Sequence, residues 1–167
     1  VIYEYLENCM LTNIIDIQKF LSEEESSQIL YQILTAVEYY HKNYILLRNL
    51  DLDQVIINQT YIKKDKKYYN AKINFIGNYE RFINNDMNQN LVFKAPEVLG
   101  SGFYFKKTDS WSIGIISYII LIGELPFYSD NENEFLEQIF SGNFNKKGRW
   151  DYLSIDSKDL ITNLLKV

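Results

Sequence analysis

Polar side chains crowd one short stretch of this chain. In "LLRNLDLDQVIIN", residues 46–58, Arg48 and Asn49 stand between apolar pairs, Asp51 and Asp53 follow, and Gln54 precedes the apolar run Val55-Ile56-Ile57. The run reads as a strand, so the polar groups sit on the turn that feeds it, a place where a scaffold can hold them for chemistry. Carboxylates there can accept a proton or ligate a hard cation. An amide has no useful basicity near neutral pH. The residue types therefore pose a choice between a loop that does chemistry and one that has stopped doing it.

The elements that must position this loop follow from local signals. Before it, Ser22 with Glu25 three residues on makes a capping box, and Glu23 to Glu25 suit a helix N-terminus. Ile29, Ile33, Val37 and Tyr40 recur at helical spacing, which predicts one amphipathic helix over 23–43. Upstream, "LTNIIDIQKF" predicts a short helix with Thr12 as its N-cap. Downstream, "VIINQ" and "NAKINFIG" read as strands, and the polar, basic "TYIKKDKKYY" between them as a solvated hairpin loop instead of a nucleic-acid patch. "KAPEVL" puts Pro96 early in a short helix. "WSIGIISYIILI", residues 111–122, reads as a buried helix stopped at Gly123 and is too short for a membrane span. A helix near 131–140 stops at Gly142, and another starts at the cap Ser154. About six helices and a few strands, segregated instead of alternating, predict a mainly α domain with small β-hairpins.

Bulk composition narrows the function classes. The 167 residues suit one domain, and 47% hydrophobic content excludes a disordered chain. A net charge of −5 argues against nucleic acid or an anionic membrane as the main partner. One Cys and one His exclude a transition-metal cluster and an internal disulfide, and Cys9 reads as a small buried hydrophobe in a reducing, cytoplasmic compartment.

The order of motifs resembles the C-terminal lobe of a eukaryotic protein kinase, and covers residues 1–167. "FKAPEVL" resembles the A-P-E motif, and "KKTDSWSIGIISYIILIGELPF" the D-x-W-S-x-G helix with its G-x-x-P-F turn. "YYHKNYILLRNLDLDQVIIN" resembles the catalytic loop with its flanking helix and strand, and "AKINFIG" the strand into D-F-G. "W…LSIDSKDLITNLL" is similar to the calcium/calmodulin-dependent and calcium-dependent Ser/Thr kinases. "VIYEYL" resembles the hinge between lobes, and no G-x-G-x-x-G occurs, so the expected architecture is a C-lobe with the N-lobe absent.

The resemblance assigns each site residue. Phosphoryl transfer needs a proton acceptor, metal ions between the phosphates and positive charge on the transferring group. Asn49 stands where the family has its catalytic Asp, Asp51 where it has Lys, Gln54 where it has the metal-binding Asn, and Phe75 where the D-F-G Asp holds metal, or, in an alignment shifted by one residue, Asn74 with an amide in place of the carboxylate and no Gly. Asn90 replaces the Thr ahead of A-P-E, and residues 78–94 hold no Ser or Thr for activating phosphorylation. Asp51 would repel a phosphate, Gln54 is one methylene too long for the strict geometry of Mg²⁺, and Phe75 offers no oxygen. Asp53, the spare carboxylate, is expected to cap its own turn.

The family's bracing positions persist: His41, Arg48, Gly77, Glu97 and Asp109, with Ile56 at an adenine-platform position. The usual Arg partner of Glu97 lies beyond Val167 in the family. The resemblance thus implies a pseudokinase. Its expected role is a scaffold or allosteric module for a protein partner, an active kinase or its substrate, with no cofactor and no metal. The surface near 131–140, with Phe127, Tyr128, Phe135 and Phe140, is the candidate docking face, at least two of these being core residues. The alternative is a fragment of an ATP- and Mg²⁺-dependent Ser/Thr kinase whose N-lobe lies elsewhere.

Overall fold

The computed structural model describes residues 9–48, 50–74 and 91–167. In chain order the elements are β1 (Cys9–Met10), α1 (Leu11–Gln18), α2 (Glu23–Lys42), β2 (Val55–Lys63), β3 (Lys66–Ile73), α3 (Pro96–Ser101), α4 (Lys106–Ile122), α5 (Glu132–Ser141), a 3₁₀ turn (Gly148–Tyr152) and α6 (Ile155–Leu164). Among the described residues, six α-helices and one small antiparallel sheet match the expected class.

The core is organised around α4. Its residues from Trp111 to Ile122 are all buried, so this helix is apolar all round, as only a central helix can be. Its buried hydroxyls stay satisfied inside the fold: Ser112 donates to Thr108 O and Phe93 O, Ser117 to Ile113 O, Thr108 to Phe105 O, and Tyr118 to Asn145 O. One flank packs on α2 through Ile29, Ile33 and Val37. The other meets α6, where Gly114 leaves room for Leu164 and Leu165: a Cβ there would sit 2.8 Å from Leu165 Cδ2. Gly123 ends α4 in the left-handed region (φ 87°), and a Cβ there would lie 2.5 Å from Lys19 O. This close approach seats the α1–α2 turn on the end of α4, and Leu21 N donates to Ile120 O at 2.7 Å.

The caps follow local chemistry. The capping box closes at Ser22: its hydroxyl accepts from Glu25 N (3.2 Å), and its own N–H donates to Glu25 Oε2 (2.9 Å). Ser154 caps α6, Asn131 caps α5, and Gly142 ends α5 in the left-handed region. Glu23 accepts from Ser154 N at 2.7 Å, tying the starts of α2 and α6 together; these bonds from Ser154 hold the Glu23 carboxyl below its ordinary pKa. Thr12 is not the cap of α1. Met10 holds that place without a side-chain bond, and Thr12 reaches across to Asp53 instead.

The sheet runs β1-β2-β3, antiparallel throughout. The stretch expected to be a long loop is strand almost to its tip. Lys63 pairs with Lys66, and Lys64 and Asp65 alone turn the chain, both at positive φ (51° and 61°) as a type I′ hairpin requires. Thr60, Tyr61 and Ile62 before the lysines, and Tyr68 and Tyr69 after them, favour the extended state, and no glycine announces the turn.

The outer edge of β3 is covered by α2. Gln32 donates to Tyr69 O and accepts from Ala71 N, both at 2.9 Å, and Gln28 repeats the pattern on Lys67 O and Tyr69 N at 3.4 Å. Two glutamines thus stand in for a neighbouring strand and blunt an edge that would otherwise template pairing. Gln32→Ala should cost about 1 kcal/mol in urea unfolding. It should also promote self-association in sedimentation velocity; an unchanged sedimentation profile would contradict the edge-protecting role.

Candidate functional site

The start of the loop, at Leu47 and Arg48, is held from below by Asp109. This residue lies in the first turn of α4 and is 0% exposed. Its Oδ1 accepts from Arg48 N at 2.9 Å, and its Oδ2 accepts from Leu47 N at 3.1 Å and lies 2.7 Å from His41 Nε2. His41 sits in the last turn of α2, so three chain segments converge on one carboxylate. Charge-assisted bonds of this kind are strong, and here they hold Arg48 at φ 66°, a left-handed conformation that a non-glycine residue adopts only under constraint. The Arg48 guanidinium lies over the Tyr104 ring, 5.5 Å from its centre. Trp111 and Ser112 extend the hold: Trp111 Nε1 donates to Val92 O (3.1 Å) and Ser112 Oγ to Phe93 O (2.9 Å), fixing the segment that enters "APE".

The carboxylates above this brace are engaged with the protein itself. Asp51 Oδ1 accepts from Gln54 N at 2.9 Å and closes the turn. The turn-capping role expected of Asp53 thus belongs to Asp51, and Asp53 instead accepts the Thr12 hydroxyl, joining loop to α1. Both residues carry the same group two positions apart, and the course of the loop decides which one points inward. Burial, with help from the neighbouring Asp53 charge and against the bond from Gln54, pushes the Asp51 carboxyl up to about 6. Gln54 O accepts from Asn74 N (2.7 Å), so the loop is tied to the end of β3.

Asp51 and Asp53 line a cleft of about 300 Å³ with Thr12, Asp16, Glu124 and Leu125. Among the described residues that line it, the charged groups are all acidic, with no Lys or Arg. Asp16 and Glu124 were not predicted from sequence, since only the fold brings them beside the loop. This donor set fits a Mg²⁺-nucleotide site poorly. Asp51 and Asp53 already accept bonds from Gln54 and Thr12, and among the described residues no cationic side chain lines the cleft for phosphate and no three His, Cys, Asp or Glu are grouped to hold a metal ion.

Of the other predicted positions, Ile56 is 4% exposed in β2, paired with Met10. Glu97, in the first turn of α3, is half-buried and meets no cationic partner among the described residues. Phe127 and Phe135 are core residues, at 0% and 1% exposure, while Tyr128 and Phe140 are exposed. Asn49, Phe75, Gly77 and Asn90 lie outside the described residues.

A loop bonded from beneath by a buried helical Asp, ahead of an "APE" helix, is a family arrangement, and the protein kinase domain model matches residues 1–167. The chain belongs to the protein kinase domain family. The "Probable serine/threonine-protein kinase KIN1 homolog" of Enterocytozoon bieneusi is 30% identical over 98% of this kinase-family chain and 27% of its own length. The human "CaM kinase-like vesicle-associated protein" is 32% identical over 90% of the chain and 31% of its own length. The chain thus spans less than a third of either relative. A crystal structure of the Rad53 kinase domain and SCD2 in complex with AMPPNP superposes with a TM-score of 0.81 at 28% identity, covering 98% of this chain and 60% of that one. No helix among the described residues is long and apolar enough to cross a membrane.

Proposed function

We propose that this chain is the C-lobe of a pseudokinase, a protein-binding scaffold or allosteric module in protein phosphorylation signalling that transfers no phosphate itself. One observation carries the reading. The frame that orients a kinase catalytic loop is intact at Asp109, His41, Leu47 and Arg48, while the carboxylate at position 51 is turned back to cap the loop and the groups at positions 49, 54 and 75 are Asn, Gln and Phe. On this reading the loop offers a held surface in place of a base and a metal ligand set. The exposed Tyr128 and Phe140 beside α5 offer aromatic contact area to a protein partner, an active kinase or its substrate. Likeness to the CaM kinase-like human protein supports a place among the calcium-dependent kinases, and a lone cysteine without a disulfide suits the cytoplasm.

Thermal unfolding with ATP, with and without Mg²⁺ or Mn²⁺, tests this reading. A ligand at a hundredfold excess over its Kd stabilises the native state by about 2.7 kcal/mol. The expected result is no shift with metal-nucleotide. A Mg²⁺-dependent shift would instead favour the alternative, a fragment of an ATP-dependent Ser/Thr kinase.

A further inference from the structure

We propose that the tip of the β2–β3 hairpin is a contact site for an anionic lipid surface. The chain as a whole is acidic, at −5, but its charge is segregated. Lys63, Lys64, Lys66, Lys67 and Lys72 fall within ten residues that hold a single acidic group, Asp65. The turn at Lys64–Asp65 lies eight residues along β2 from its start at Val55, roughly 25 Å at the rise of a strand, so it stands apart from the acidic cleft. Glu24 and Glu25, at the start of α2, reach the arm. Glu24 meets Lys66 at 2.6 Å in a pair exposed at 56% on both sides, which water screens, and Glu25 accepts from the Tyr69 hydroxyl. Lys67 Nζ lies over the Tyr69 ring. Lys63 and Lys64 make no ion pair among the described residues and project at the tip.

Beside these cations the arm exposes apolar groups. Ile62 is 74% exposed and Tyr61 54%, on opposite faces of β2 because neighbouring strand residues alternate. A tip that enters end-on brings both to the interface together, with lysines around them. Cations beside a short aliphatic and aromatic tip suit the headgroup region of an acidic bilayer. A single-stranded nucleic acid would stack on aromatic faces, but Tyr61 and Tyr68 stack on each other (5.2 Å, 9°). An acidic peptide would use the lysines and leave Ile62 idle.

Co-sedimentation of the chain with vesicles tests this, comparing phosphatidylcholine alone with phosphatidylcholine containing phosphatidylserine. The chain should pellet with the acidic vesicles only, and less so as salt rises. Lys63→Glu with Lys64→Glu should weaken binding at least fivefold, on the scale of one near-surface lysine or more. Ile62→Ser should also weaken it several-fold, at an unchanged melting temperature. Three results would overturn the proposal: no preference for acidic vesicles, full retention by Ile62→Ser, or tighter capture of polyglutamate or a single-stranded oligonucleotide than of vesicles.

Discussion

Asp109→Ala removes the acceptor of two backbone N–H groups and the partner of His41 in one step, and should destabilise the chain by about 3–5 kcal/mol. Asp109 is fully buried, so water cannot take its place at Leu47 N, and Arg48 loses what holds it at positive φ. A domain of this size has roughly 5–15 kcal/mol in total, so the alanine variant can fall close to unfolding at 37 °C. Asp109→Asn gives the graded version. It keeps one oxygen but turns an amide NH₂ toward a donor, and should lose about half as much by urea unfolding. His41→Ala removes one contact at the edge of the network and should cost less than either. Equal stability of Asp109→Asn and the parent would mean that the carboxylate does not carry the loop.

Asp51→Asn should stabilise the chain, by about 2–3 kcal/mol at pH 7.5. The amide keeps the oxygen that accepts from Gln54 N and abolishes a half-buried charge facing Asp53. The sign follows from linkage. The Asp51 carboxyl is raised from 3.8 to about 6 on folding, so between these values the folded chain holds a proton that the unfolded chain has released. The favourable contribution of the protonated acid is complete below about pH 4 and is lost as pH rises through 6. The gain from the amide should therefore shrink to about 1 kcal/mol at pH 4.5. Urea unfolding of both proteins at the two pH values measures it. A gain that does not vary with pH would place the effect in packing instead of ionisation.

These two aspartates also show how far the sequence reaches. Asp109 was legible because its motif names it, and the capping box at Ser22, the stops at Gly123 and Gly142 and the cap at Ser154 were legible because each is a short-range rule written in adjacent residues. The bond between Thr12 and Asp53 was not, since its partners are 41 residues apart and Thr12 satisfies the local pattern of an N-cap equally well. Nor could the sequence choose between Asp51 and Asp53 as the group that closes the turn: the chemistry is the same, and only the path of the loop separates them. The strands of the hairpin run further than their sequence signals because the turn, Lys64-Asp65, lacks the glycine or asparagine that ordinarily marks positive φ, and a lysine-rich run looks like loop. The edge cover by Gln28 and Gln32 left no trace at all, since two glutamines on a helix surface carry no pattern until a strand lies beside them.

On the proposed reading, the loop keeps its frame and has lost its chemistry. The most direct test of that reading is incorporation of labelled phosphate from ATP by the full-length natural protein, with Mg²⁺ or Mn²⁺, into itself and into a general Ser/Thr substrate, beside an Asp53→Asn variant. No transfer above background in either protein is the predicted result. Metal-dependent transfer by the parent that disappears in Asp53→Asn would contradict it, and would make Asp53 the working carboxylate of an unusual kinase.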